Sequence, residues 1–246
     1  MSDTIIEFRQ VSKSFNSTPV LSGMDLVIRP AETITIIGGS GIGKSVTLKL
    51  IVGLMKPETG QVLIEGENIV PLTEDQLIRV RKKIGMVFQG GALFDSLSVG
   101  ENIAYPLREH TTMSEKEIRG RVRETLHLVG LDGVEGKDPA ELSGGMRKRV
   151  ALARAISLAP RIILYDEPTT GLDPTNTEKI NDLIVDMDEK LGVTSVVVTH
   201  DMRSAFKISD RIALLYQGKI VFAGTPGEIE SSDLPVVRQF IAGTLS

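Results

Sequence analysis

Apolar and polar positions along the chain follow two periods, and the switches between them mark out its elements. In residues 24–30 ("MDLVIRP"), Met24, Leu26 and Ile28 alternate with Asp25 and Arg29, the pattern of a strand with one buried face. "IIEFRQV" (5–11) also reads as a strand. "TITIIG" (33–38) is a short β-branched run with no polar face, as in a parallel strand covered on both sides. It enters a cluster of glycines and then "KSVTLKLIVGLM". There Leu48, Ile51, Val52 and Met55 fall at i, i+3, i+4 and i+7 and predict a helix that Pro57 closes.

Further along the period changes. Ser98 with Glu101, and Ser114 with Glu117, have capping-box spacing, and the second pair opens a helix with Ile118, Val122 and Val129 on one side, ending at Gly130. Residues 90–158 hold helical patterns and no convincing strand. "RIILYD" (161–166) returns to a buried strand. Thr175 with Glu178 predicts another capped helix, with Ile180, Leu183, Ile184 and Met187 on one face. "TSVVVTH" reads as a strand, and "RIALLYQGKIVFAG" as two strands joined around Gln217-Gly218. The tail from Ser231 carries no clear pattern. The expected architecture is one α/β domain over 1–246. A core of mostly parallel sheet with an antiparallel β element covers 1–89 and 159–246, and a helical subdomain is inserted at about 90–158.

Composition narrows the partners. The 246 residues are 41% hydrophobic and 24% charged, enough for a packed core, and the formal net charge is −4. A negative chain offers no broad attraction to nucleic acid, and none is expected as a partner. No cysteine is present, which excludes disulfides and thiolate metal sites. "MSDTIIEFRQ" lacks the basic and apolar regions of a signal peptide. No apolar run approaches the roughly 20 residues that span a bilayer. The chain is expected to be soluble and cytoplasmic, reaching a membrane only through a partner.

Three motifs carry chemistry. "GGSGIGKS" comprises Gly38, Gly39, Ser40, Gly41, Ile42, Gly43, Lys44 and Ser45, with Val46 following, and it lies between a strand and a helix. This is the arrangement of a phosphate loop and predicts a P-loop NTPase core. Its backbone N–H groups and the helix N-terminus face phosphates, Lys44 reaches the β- and γ-phosphates, and Ser45 can ligate Mg²⁺. "IILYDE" ends a strand in two carboxylates: Asp166 is placed to hold Mg²⁺ through water, and Glu167 to polarise an attacking water. "LSGGM" opens a second small-residue helix start at Ser143, Gly144 and Gly145. One chain needs only one phosphate site to bind one nucleotide, so the second suggests that two copies share nucleotides; the competing reading is a simple helix N-cap at Ser143. ATP and Mg²⁺ are the expected ligands.

These motifs, in this order, resemble the ATPase subunit of ABC transporters over nearly the whole chain. The family's signature most often ends in Gln where Met146 stands here, so contacts specific to that Gln are lost. The resemblance implies that Gln89 is the Q-loop glutamine, touching nucleotide and metal. It makes Gly171-Leu172-Asp173 the D-loop and His200 the switch histidine on the γ-phosphate. Phe15 stands where the family places an aromatic under adenine, and core packing is the competing reading. His110 and His127 are read as surface or packing residues. In this family the stretch after Gln89 faces the membrane subunit, so the apolar pair Leu93-Phe94 either lines a groove for the permease or folds back under the helical subdomain.

"GALFDSLSVGENIAYPLREH", "YDEPTTGLDP" and "LSGGM" together resemble the ATPases of Mla-type transporters. That implies a homodimer on the cytoplasmic face of the bacterial inner membrane, a permease, an Mce-domain lipid-binding protein, a small regulatory subunit, and phospholipid as cargo. The alternatives are an ABC transporter for another cargo, a soluble ABC-type ATPase of DNA repair or ribosomes, and a module that holds ATP without turnover.

Overall fold

The computed structural model describes residues 3–244. Two sheets form the framework. β1 (Ile6–Phe15), β2 (Thr18–Ile28), β4 (Thr59–Ile64) and β5 (Glu67–Asn68) make an antiparallel sheet in the order β2-β1-β4-β5. β3 (Thr33–Ile37), β6 (Ile84–Val87), β7 (Ile162–Asp166), β8 (Thr194–Val198), β9 (Arg211–Tyr216) and β10 (Lys219–Gly224) make the second, in the order β10-β9-β3-β8-β7-β6. It is parallel except where β10 returns antiparallel along β9.

The inner strands of this sheet, β3, β7 and β8, are buried along their whole length because both faces are covered. In β7, Ile162 and Leu164 join the core beneath the antiparallel sheet, together with Phe8, Met24, Leu48 and Ile51. Ile163 and Tyr165, one residue out of step, join the opposite core. Four helices close that second core: α3 (Val99–His110), α4 (Glu115–Leu128), α5 (Gly144–Ile156) and α6 (Pro174–Leu191). Residues 90–158 contain α3, α4, the short 3-10 turn Pro139–Glu141 and α5, with no strand among them. Both predicted capping boxes form, at Ser98 and Ser114.

Some boundaries differ from the sequence expectation. α1 (Lys44–Ile51) ends well before Pro57, at Gly53, whose φ of +66° breaks the helix. Leu48, Ile51 and Val52 are buried as predicted, while Met55 lies beyond the last turn. α6 begins two residues earlier than its Thr175 spacing implied. Asp173 is the N-cap, accepting from the Asn176 amide at 3.0 Å, because Pro174 suits the first helical position. β4, β5 and β6 and the helices α2 (Glu74–Arg81) and α7 (Met202–Ile208) were not predicted. α8 (Pro226–Glu230), also not predicted, and α9 (Pro235–Ile241), within the tail that showed no pattern, bury Ile229 and Val237 against Ile212 and Leu214 of β9.

One polar contact beneath the sheet sets a pH dependence. Asp188 on α6 accepts hydrogen bonds from Thr33 Oγ1 and, at 2.5 Å, from Ser195 Oγ. Burial raises its carboxyl from the ordinary 3.8 to about 6, against the pull of these two bonds. The folded chain therefore favours the protonated acid. The associated stability is complete below 3.8 and is lost as pH rises through about 6. At roughly 1.36 kcal/mol for each tenfold change in acid strength, the linked free energy is at most about 3 kcal/mol. Melting temperatures of wild type and Asp188→Asn, compared across that window, should show wild type losing ground to the variant as pH rises. A constant difference would mean that Asp188 titrates normally.

Candidate active site

Four strands of the parallel sheet end at one edge, and each delivers part of the site there. β3 runs into the glycine loop and α1. β6 leads to Gln89. β7 ends in Asp166-Glu167, and β8 in Thr199-His200. Ser40, Gly41, Gly43, Lys44, Ser45, Val46, Gln89, Glu167 and His200 line one cavity of about 330 Å³ at this edge.

The loop is held in a form that suits anions. Gly43 caps α1 with φ +109°, and a Cβ there would stand 2.6 Å from Val20 Cγ1, so only glycine fits. The first turn of α1 has no acidic residue, which leaves its positive end uncancelled. Lys44 is buried and donates to the carbonyls of Gly38 and Gly39 at 2.8 and 2.9 Å. Burial pulls its ammonium below the ordinary range, and the neighbouring charges of Glu167 and Asp166 oppose that pull. Gly38 and Gly39 thus act through Lys44 rather than lining the cavity, and Ile42 packs against the core.

Ser45 Oγ donates to Asp166 Oδ1 at 2.8 Å. With the Gln89 amide at the cavity wall, this gives a set of hard oxygen donors, which suits Mg²⁺ and leaves other positions for nucleotide oxygens. No cluster of three or more His, Cys, Asp or Glu able to hold a metal by itself exists among the described residues.

Glu167 occupies the left-handed region at φ +50°, uncommon for a side-chain-bearing residue. Its Oε2 faces three groups: Thr170 Oγ1 at 3.2 Å, Thr199 Oγ1 at 3.3 Å and His200 Nδ1 at 2.9 Å. Its Oε1 lies 4.0 Å from Lys44 Nζ. One oxygen is tied back, and the other is presented beside the lysine. Thr170 and Thr199 were not singled out from the sequence, although each stands within a stretch that was recognised.

Other predicted residues lie elsewhere. Ser143 caps α5 by accepting from the Met146 amide at 3.3 Å, and Ser143, Gly144 and Asp173 are exposed outside the cavity. Gly145 is buried, and a Cβ there would press on Asn176 at 3.0 Å. Phe15 is 40% exposed at the end of β1, with Lys13 Nζ 5.5 Å from its ring centroid, so it is not a core residue. It does not line the cavity either. Leu93 and Phe94 part company. Leu93 packs onto the helical core. Phe94 points outward, its ring 5.2 Å from that of Tyr105. The two aromatics line a groove of about 340 Å³ with Ile84, Met86, Arg154 and Leu158. No helix among the described residues is long and apolar enough to cross a membrane.

Comparison with known proteins agrees with this geometry. The ABC transporter family model matches residues 21–170. The chain is 41% identical over 244 residues to the Haemophilus influenzae protein named "Intermembrane phospholipid transport system ATP-binding protein MlaF", spanning 99% of this chain and 92% of that one. It is 44% identical over 238 residues to the Mycobacterium leprae "Probable ribonucleotide transport ATP-binding protein mkl", spanning 97% of this chain and 69% of the relative. Among solved structures, the ATP-binding cassette MJ0796, a dimer in a post-hydrolysis state bound to ADP and Pi, superposes with a TM-score of 0.83 at 36% identity, covering 90% of this chain and 99% of the other. The fold, the cavity and these likenesses agree, and the chain belongs to the ABC transporter family as an ATP-hydrolysing, ATP-binding subunit.

Proposed function

We propose that this subunit powers phospholipid transport between bacterial envelope membranes, and that its nucleotide sites form between two copies of the chain. The observation that carries the shared site is the division of the motifs. The cavity gathers the phosphate loop, Gln89, Glu167 and His200, while Ser143, Gly144 and Asp173 stand exposed outside it. The first turn of α5 has no acid, so its N-terminus can meet a partner's γ-phosphate. Lys44 and the loop amides bind the phosphates, and Ser45, Asp166 and Gln89 would hold Mg²⁺. Once bound, the ion neutralises charge on the phosphate oxygens. Glu167 Oε1 takes the proton of the attacking water, and His200 orients the γ-phosphate. Phe15, exposed beside Lys13, is available to stack on adenine from outside the phosphate cavity.

The shared site is tested by mixing. Ser143→Arg and Lys44→Ala chains should each be inactive alone. In an equal mixture half the dimers are hybrids, each with one intact site, so activity should return to about a quarter of wild type if the sites act independently. Undiminished activity of Ser143→Arg alone would end the shared-site reading.

The cargo rests on the MlaF relatives, and the assembly on the resemblance to Mla-type transporters. We assign a permease seated in the groove at Phe94, an Mce-domain protein, a small regulatory subunit and a place on the cytoplasmic face of the inner membrane. The 44% identity to the mycobacterial relative supports a second reading, in which the same engine moves another cargo. Purification in mild detergent separates the two: an Mce-domain protein in the complex supports phospholipid, and its absence supports the other reading.

A further inference from the structure

Lys148 is only 8% exposed, although it lies in the basic run "RKRV" of α5. A buried ammonium is costly unless its donors are used. Its Nζ donates to the backbone carbonyl of Gln89 and, at 3.3 Å, to that of Glu167. The negative charges of Asp166 and Glu167 also act on it. On the same helix, Arg154 donates to the carbonyls of Gly91 and Ala92 at 2.9 and 2.7 Å and lies 6.0 Å from the Phe94 ring centroid. α5 therefore grips residues 89–92 through two cations, and only Lys148 extends that grip to the strand end that carries the carboxylate. The Glu167 backbone is strained at φ +50°. Its N–H is tied to Val198 O at 2.9 Å, and its carbonyl also accepts from the Thr170 amide at 3.3 Å. Lys148 anchors the peptide that aims the carboxylate.

We infer that Lys148 is a positioning residue for ATP hydrolysis, holding Glu167 in fixed register with the helix whose start carries Ser143 and whose far end meets the groove at Phe94. This rests on the reading of Glu167 as the base. Loss of the anchor displaces the carboxylate without removing any group that touches ATP.

The test uses the full chain with the membrane subunits that accompany it. Lys148→Met is expected to lower kcat by about 10–10²-fold, the scale of a small misplacement, with the Kd for ATP changed by less than about threefold. Lys148→Arg, which keeps charge and donors, is expected to recover most of kcat. In a Glu167→Gln background, Lys148→Met should cost little more, because the group it positions is already disabled. A wild-type kcat in Lys148→Met would overturn the proposal. So would an equal loss in both backgrounds, or a loss of ATP binding that parallels the loss of rate. The Glu167→Gln chain alone reports on the base reading: full activity there rejects that reading, whereas a slow Glu167→Gln beside a fast Lys148→Met rejects the Lys148 proposal alone.

Discussion

Glutamine in place of Glu167 is expected to lower ATP turnover by about 10²–10⁴-fold, the usual loss when a positioned base is removed, while ATP and Mg²⁺ still bind. The geometry makes this a clean substitution. The amide oxygen can take the place of Oε2 and accept from the hydroxyls of Thr170 and Thr199. The backbone contacts of residue 167 to Val198 and Lys148 do not involve the side chain. What changes is the atom beside Lys44, which becomes a donor with no basic lone pair. Steady-state ATPase of the assembled complex, with equilibrium binding of ATP, checks both halves. Turnover within a few-fold of wild type would take the base role from Glu167 and give it to another group at the cavity.

The central strands β3 and β7 were legible because burial on both faces leaves short apolar runs, "TITII" and "RIILYD", whereas β4, β5 and β6 were not: "TGQVLI" is exposed over its first half, β5 is two residues long, and "IGMV" is too short to show a period. α2 was not legible, although Thr73 and Gln76 form a capping box like the two that were recognised. It buries only Leu77 and Val80, and much of its anchoring is polar: Arg81 pairs with Glu74 and donates to the carbonyls of Val52 and Gly53. Such partners are distant in sequence or indifferent to period. At α6, two cap spacings competed two residues apart, and the fixed φ of Pro174 decided for Asp173. The phosphate loop, Asp166 and Glu167 were identified by motif, Gln89 and His200 only through the family resemblance, and the sheet edge explains why they meet. Thr199 and Lys148 escaped notice for one reason. Their role depends on where a side chain points, which the sequence does not show: "RKRV" gives a helix, and the structure turns Lys148 inward.

The groove beside Phe94 gives the other large expected effect. Phe94 and Tyr105 are 44% and 46% exposed, and their rings meet at a tilt of 58°. Paired aromatics left open beside an apolar wall are the kind of anchor on which interface energy concentrates, commonly about 2 kcal/mol or more each. Phe94→Ala with Tyr105→Ala is therefore expected to weaken association with the membrane subunit by about 10²–10³-fold, less than the full sum because the two rings touch. Alanine is a better probe than glutamate at 94, since Arg154 stands over the ring and would offer a new carboxylate an ion pair. Leu93 supplies the contrast. It packs onto the core of α3, α4 and α5, so Leu93→Glu should lower the melting temperature by burying an unpaired charge. Thermal melting with Mg-ATP, run beside capture by the tagged membrane subunit, separates the two effects. The double alanine chain should melt normally and fail to be captured, and the Leu93→Glu chain should melt early. Normal capture of a stable double alanine chain would show that the membrane subunit seats elsewhere and that Phe94 and Tyr105 face a different partner.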